Sequence, residues 1–287
     1  QQYPDDKRLR LAYARLLVEQ ERLDEARSEF EILLQQSPDD DDLRLSLALI
    51  SLQQQNWESA KYFLRELVER DSHTDIAHYN LGQIDEQFND NEGALIEYGL
   101  VSPGDQYLAA QSRLASILID SGRNEEAQSR LNQARKDWPE YAIPLYLLEA
   151  ESLSQAQQVQ AAWQLIQQAT QEFPDDTNLL YTRAMLAEER DDLAGLERDL
   201  KLVISREPDN AMAMNALGYT LADRTDRYAE AKQLIERAHQ LKPEDPAILD
   251  SLGWVNFRMG NLAQAEILLQ QAIALFPDQE IAAHLGE

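Results

Sequence analysis

Four histidines, His73, His78, His239 and His284, are the chain's only imidazoles, and there is no cysteine. Imidazole and thiolate are the usual places to look for metal ligation, and imidazole and carboxylate for proton transfer. None of the four falls in HExxH or another ligand spacing, and each lies in or beside a predicted helix or its boundary. Ordinary packing or surface roles are therefore expected. The run Asn89-Asp90-Asn91-Glu92-Gly93 resembles part of a calcium loop, but with Gly93 in the sixth place the first ligand position is Phe88, which cannot coordinate. It reads as a turn between helices. No GxSxG elbow, P-loop or GxGxxG after a strand occurs, and no convincing strand is found. The 52 acidic residues would allow many arbitrary acid–base pairs, yet most are expected on solvated faces or at helix starts. No catalytic, cofactor-binding or metal-ligating residue is assigned, and no cofactor is expected.

Composition narrows the remaining possibilities. The chain has 287 residues, 44% of them hydrophobic, enough for a large core but with no apolar run long enough to span a bilayer. Its formal charge of −26 would repel a phosphate backbone, so nucleic acid is not an expected partner. The stretch from Pro243 to Glu287 holds seven acids against Arg258 alone, so no basic stripe is hidden there. The absence of cysteine fits a reducing compartment or a periplasmic protein without disulfides. The opening Gln1-Gln2-Tyr3, without methionine, is what an interior piece of a longer chain would show.

What organises the chain is a recurring small residue: Ala14, Ala48, Gly82, Ala115, Ala150, Ala184, Gly218 and Gly253, at steps of 34, 34, 33, 35, 34, 34 and 35. Twelve residues later a second follows in most copies, at Ala26, Ala60, Ala94, Ala127, Ala162 and Ala265; Ala231 comes one place late after a longer turn, and Leu196 is the exception. A third small position holds Ala134, Ala169, Ala238 and Ala272. Helix axes approach closely only where the crossing side chains are small, so the pattern predicts paired helices in contact. Pro38, Pro139, Pro174, Pro208, Pro243 and Pro277 end the second helices, and Asp39-Asp40, Asp175-Asp176, Asp209-Asn210 and Asp278 are placed to cap the next ones. Gly122 and Gly260 fit left-handed turns within pairs.

Without a linker to divide it, the array reads as one domain over residues 1–287. Its repeats lie near 5–38, 39–72, 73–105, 106–139, 140–174, 175–208, 209–243 and 244–277. The segment Val101-Ser102-Pro103-Gly104 should shorten the third unit's second helix and locally alter the array. Residues 278–287 start another helix, read as a cap or as the first part of a further repeat.

In the last full copy, Leu252-Gly253, Gly260, Ala265, Leu269, Ala272 and Pro277 fall at offsets that resemble the tetratricopeptide repeat. Leu249 and Asn256 replace the family's tryptophan and tyrosine. The resemblance implies an all-α, right-handed superhelical solenoid of about eight helix-turn-helix repeats. It also implies that residues three before, one after, and four or five after the small position face the concave groove. Those places hold Tyr79, Gln83, Tyr181, Asn215, Tyr219, Asp250, Trp254, Phe257 and Arg258. Of these, Tyr181, Asn215, Tyr219, Asp250, Trp254 and Arg258 are the partner-binding candidates. Tyr219 and Trp254, equivalent in successive repeats, are expected to be exposed. The family's clamp for chaperone tails needs lysine and asparagine at the first two places, and none of the eight copies carries that pair.

A narrower resemblance rests on Asn215-Ala216-Leu217-Gly218-Tyr219, Asp250-Ser251-Leu252-Gly253-Trp254 and Ile281-Ala282-Ala283-His284-Leu285-Gly286-Glu287. These look like the repeat region of Gram-negative outer-membrane tetratricopeptide lipoproteins, most closely adaptors of a carboxyl-terminal processing protease. That resemblance implies a noncatalytic adaptor that binds a periplasmic processing protease and its cell-wall hydrolase substrates. The full-length protein would then be anchored at the outer membrane by a lipid group that this chain does not carry. The alternative is a structural assembly factor for an envelope secretion or exopolysaccharide complex.

Overall fold

The computed structural model describes residues 7–286, which form seventeen α-helices, a short 3-10 turn at Pro139–Tyr141, and no strand. The repeat start expected at residue 5, and Glu287, lie outside the described residues. The chain divides into two compact units, Gln1–Ser152 and Leu153–Glu287. In the first, the helices are α1 (Lys7–Glu19), α2 (Leu23–Gln36), α3 (Asp41–Gln53), α4 (Trp57–Glu69), α5 (Thr74–Gln87), α6 (Asn91–Gly99), α7 (Tyr107–Asp120) and α8 (Asn124–Asp137), with α9 (Ala142–Gln155) reaching the boundary. The second holds α10 (Val159–Glu172), α11 (Thr177–Glu189), α12 (Leu193–Arg206), α13 (Ala211–Arg224), α14 (Tyr228–Leu241), α15 (Pro246–Arg258), α16 (Leu262–Leu275) and α17 (Gln279–Gly286).

Helix starts follow from short polar side chains. Asp40 accepts from the Leu43 amide at 3.3 Å, Asp176 from Leu179 at 2.9 Å and Asn210 from Ala213 at 2.9 Å, each satisfying an amide that the first turn leaves free. Second helices are capped in the same way by Asn56, Asp90 and Asp192. Within pairs the chain turns through left-handed backbone: Gly122 and Gly260 have φ of 74° and 80°. Glu21, Gln55, Asn89, Gln157 and Asp191 take the same conformation at equivalent places without glycine's ease. Thr225 does not, because its turn is longer; its φ is −142°.

The repeated small residues sit at the helix crossings. Ala14, Ala48, Ala115 and Ala184 are fully buried, as are Ala26, Ala60, Ala94 and Ala162. At Gly218 the approach is closest to the limit, since a Cβ there would come within 2.5 Å of the Ile235 Cγ1 and 3.0 Å of the Ala231 carbonyl oxygen. Leu196, the exception to the small-residue pattern, is itself fully buried. In the first unit Leu17, Phe30, Leu47, Leu64, Leu67 and Ile84 build the core. In the second, Leu200, Met214, Leu217, Leu221, Ile235 and Val255 do so.

The interruption expected at residues 101–104 is present. Helix α6 has 9 residues where the other second helices have 13 or 14. Tyr98, on its last turn, is fully buried and fills the space over Gly82. Its hydroxyl donates to Glu86 at 2.5 Å, and Arg113 donates to the same carboxylate. Burial, then that carboxylate, pushes the phenol far above its ordinary pKa, so it stays a donor.

Candidate functional site

The second unit contains an open cleft of about 780 Å³. First helices of successive pairs line it: Glu188 from α11, Asn215, Ala216, Tyr219 and Thr220 from α13, and Pro246, Ala247, Asp250 and Ser251 from α15. Its far wall is Phe276, Asp278, Glu280 and Ile281, at the end of α16 and on α17. A first helix reaches this face because its other side is committed to the core: Met214, Leu217 and Leu221 are buried, which turns Asn215, Ala216 and Tyr219 toward the cleft.

Within the cleft the polar groups are arranged with few cations. Tyr219 donates from its hydroxyl to Glu280 at 2.9 Å. Burial, then the Glu280 contact and the charges of Asp223 and Asp250, hold that phenol above its usual pKa. Thr220 donates to Glu188 at 3.1 Å. Asp250 meets the His284 Nδ1 at 2.9 Å through both oxygens. Asn215 is nine-tenths buried, and its Oδ1 accepts no hydrogen bond among the described residues. The groups are thus donors held by carboxylates, and no group of three or more residues that could hold a metal ion is found among the described residues.

Of the sequence candidates, Asn215, Tyr219 and Asp250 come together on the cleft. Tyr181 is half-buried against the core of the same unit, its hydroxyl pKa raised by burial and by Glu188. Trp254 departs from expectation: it is only 7% exposed. The cause is α17, whose His284 stacks on the indole at 4.3 Å between ring centroids, while Phe257 stacks at 5.3 Å. Arg258 is turned away to the Asp223 carbonyl at 2.9 Å and the Tyr228 hydroxyl at 3.1 Å. In the first unit Tyr79 packs against Tyr98, with ring centroids 5.8 Å apart, and receives a hydrogen bond from exposed Gln83 at 3.3 Å. Glu188, Thr220, Glu280 and His284 were not among the candidates. His284 follows Asp250 by 34 residues, so the register that selects Asn215 and Asp250 selects it too.

This architecture, paired helices repeated at a fixed interval and carrying a groove, defines a helical-repeat protein. The chain belongs to the tetratricopeptide-repeat family. Family models described as tetratricopeptide repeat match residues 11–73, 112–176 and 224–286, together more than half of the chain. The fold is typically a noncatalytic scaffold for protein–protein interaction. A TPR repeat-containing protein of Pseudomonas aeruginosa is 60% identical over 213 residues, which is 74% of this chain and 36% of that protein. Bacteriophage adsorption protein A of Escherichia coli K12 is 33% identical over 85 residues, 30% of this chain and 8% of that one. The chain therefore spans about a third of the first curated relative's length and far less of the second's. The APC/C hetero-tetramer Cut9–Hcn1 aligns over 97% of this chain and 55% of its own at 18% identity and a TM-score of 0.52, a likeness of fold alone.

Proposed function

We propose that this chain is a noncatalytic adaptor that binds a periplasmic carboxyl-terminal processing protease together with cell-wall hydrolase substrates and so promotes their proteolysis. The observation that carries the reading is a coincidence of place. The helices that carry the stretches resembling the outer-membrane adaptor lipoproteins, α13, α15 and α17, are the ones that supply most of the cleft's lining. Tyr219 offers the cleft a half-buried aromatic surface with a polar tip, a combination that suits a protein ligand. Holding enzyme and substrate on one scaffold raises their effective concentration without adding chemistry. No helix among the described residues is long and apolar enough to cross a membrane; in this reading attachment to the outer membrane is through a lipid anchor.

The test is a degradation assay with purified processing protease, with and without the chain. The chain alone should cleave nothing. It should speed loss of a folded hydrolase far more than loss of a small unstructured peptide, and Tyr219→Ala should lower the gain while leaving the circular dichroism unchanged. If envelope proteases do not respond at all, the adaptor reading fails and a structural role in an envelope complex takes its place.

A further inference from the structure

We propose that the cleft of the second unit is a receptor for a cationic side chain, a lysine or arginine carried on an extended segment of a protein partner. The proposal deepens the adaptor reading and rests on its premise that the partner is a protein. Four carboxylates, Glu188, Asp250, Asp278 and Glu280, line the cleft, and no lysine, arginine or histidine is among its lining residues. Elsewhere in the same unit two carboxylates outside the cleft are tied to arginine: the buried Asp199 to Arg183, and the partly exposed Glu197 to Arg227. In the cleft, by contrast, the partners are hydroxyls, a backbone amide and one imidazole. Tyr219 serves Glu280, Thr220 serves Glu188, the Glu280 amide serves Asp278, and His284 approaches Asp250 from behind the lining.

The second, independent observation is Asn215. Its side chain lines the cleft and is nine-tenths buried, yet its Oδ1 is without a donor among the described residues. A buried acceptor is costly to leave unmade; this oxygen is covered in the free protein, and once the Asn215 side chain turns toward the cleft an ammonium or guanidinium group is the donor that satisfies it together with the carboxylates. Ala216, Pro246, Ala247 and Phe276 supply apolar wall for the methylene stem of such a side chain. An anionic ligand would meet like charge from every acidic wall. An apolar one would leave both Asn215 and the carboxylates unserved.

The test uses fluorescein-labelled, end-blocked octapeptides of alanine and serine bearing two central lysines, two arginines, two norleucines or two glutamates. Binding to the intact chain is read by fluorescence anisotropy at low salt. Lysine or arginine peptides should bind, the norleucine peptide at least about tenfold more weakly, and the glutamate peptide not measurably. Glu188→Gln with Glu280→Gln, which preserves shape, should weaken the cationic peptides by about tenfold or more, whereas Glu266→Gln on the exposed face of α16 should change nothing. Added salt should weaken binding further. Equal binding of lysine and glutamate peptides, no binding of any, or an unchanged double variant would overturn the proposal. Putrescine binding as tightly as the lysine peptide would assign the cleft to a free amine and overturn the protein segment. The two readings separate cleanly. A chain that promotes proteolysis but ignores cationic peptides loses only this inference, and one that binds them without affecting any protease loses only the adaptor role.

Discussion

Carboxylates are used in opposite ways in two regions of the second unit. On α12, Asp199 is fully buried but receives two bonds from Arg183, at 2.6 and 2.9 Å, and one from Arg198 at 2.9 Å. Its neighbour Glu197 takes Arg227 in a two-pronged contact at 2.8 and 2.9 Å, and Lys201 at 2.6 Å. In the cleft, Glu188 and Glu280 form no ion pair among the described residues and are held by hydroxyls. Where charge serves the fold, the chain supplies its own counter-charge, often from a helix pair about 30 residues away. Where Glu188 and Glu280 face the groove, no lysine or arginine among the described residues is paired with them, and Asp250 meets only an imidazole. That difference separates residues that hold the array together from residues available to a partner.

The strongest way to stress this comparison is to place a carboxylate in a third setting, a helix crossing with neither cation nor solvent. Ala265 is buried there, against α15, while Glu266 next to it is exposed. Ala265→Glu should destabilise the chain by roughly 3–5 kcal/mol, and Glu266→Ala by no more than about 0.5 kcal/mol. Thermal melts of the two variants decide it, and equal midpoints would show that Ala265 is not in a close crossing.

Next in size is removal of a counter-charge. Arg183→Met strands the buried Asp199 with only Arg198, whose side chain is largely exposed. A loss of about 3 kcal/mol is expected in urea unfolding, with a smaller loss when Asp199→Asn is added, because the second change removes the stranded charge. A double variant no more stable than Arg183→Met alone would contradict the account.

The repeat frame, the caps, the turn glycines and the short α6 were all legible in the sequence, because each depends on residue size, backbone freedom or a side chain two or three positions from its amide. The groove was legible in part. Its register named Asn215, Tyr219 and Asp250, since consecutive first helices present the same face. It misjudged Trp254, because that ring is covered by His284, thirty residues on, from a helix beyond the last full repeat to which the groove register was not extended. The Arg183–Asp199 pair was not legible either. In a chain with 52 acids, composition cannot say which carboxylate finds which arginine.

A third expectation concerns pH. Burial works to raise the pKa of Asp199, but hydrogen bonds and charge from Arg183 and Arg198 overcome it and hold the group below its ordinary value. Hydrogen bonds from Arg227 and Lys201 pull Glu197 from 4.5 down to about 2. A carboxylate whose folded pKa is depressed stabilises the fold fully above its unfolded pKa and loses that contribution as pH falls toward the folded value. Stability should therefore decline between pH 4.5 and about 2, and Glu197→Gln should flatten part of that decline. Urea midpoints measured across that range check the slope, and an unchanged slope would mean that the Arg227 contact does not form in solution.

The smallest expected effect is the most discriminating, because it has a sign. Replacing glutamate by glutamine preserves size and an acceptor oxygen while deleting one charge. At Glu197 the deleted charge was bound by Arg227 and Lys201, so Glu197→Gln should lower the melting temperature at neutral pH. At Glu280 the deleted charge had no ion-pair partner among the described residues; it had the Tyr219 hydroxyl, from which glutamine can still accept, and the first turn of α17, whose small favourable field is set against the shared charge of Glu188, Asp250 and Asp278 in the cleft. Relief of like-charge repulsion should leave Glu280→Gln as stable as the parent, or more stable by up to about 0.5 kcal/mol, with the gain fading as salt screens the carboxylates. A binding site that keeps its charges unpaired gives up stability in the free protein and recovers it only with a ligand in place. Both variants losing stability alike would show that Glu280 has a structural counter-charge after all, and the contrast between the two regions would collapse.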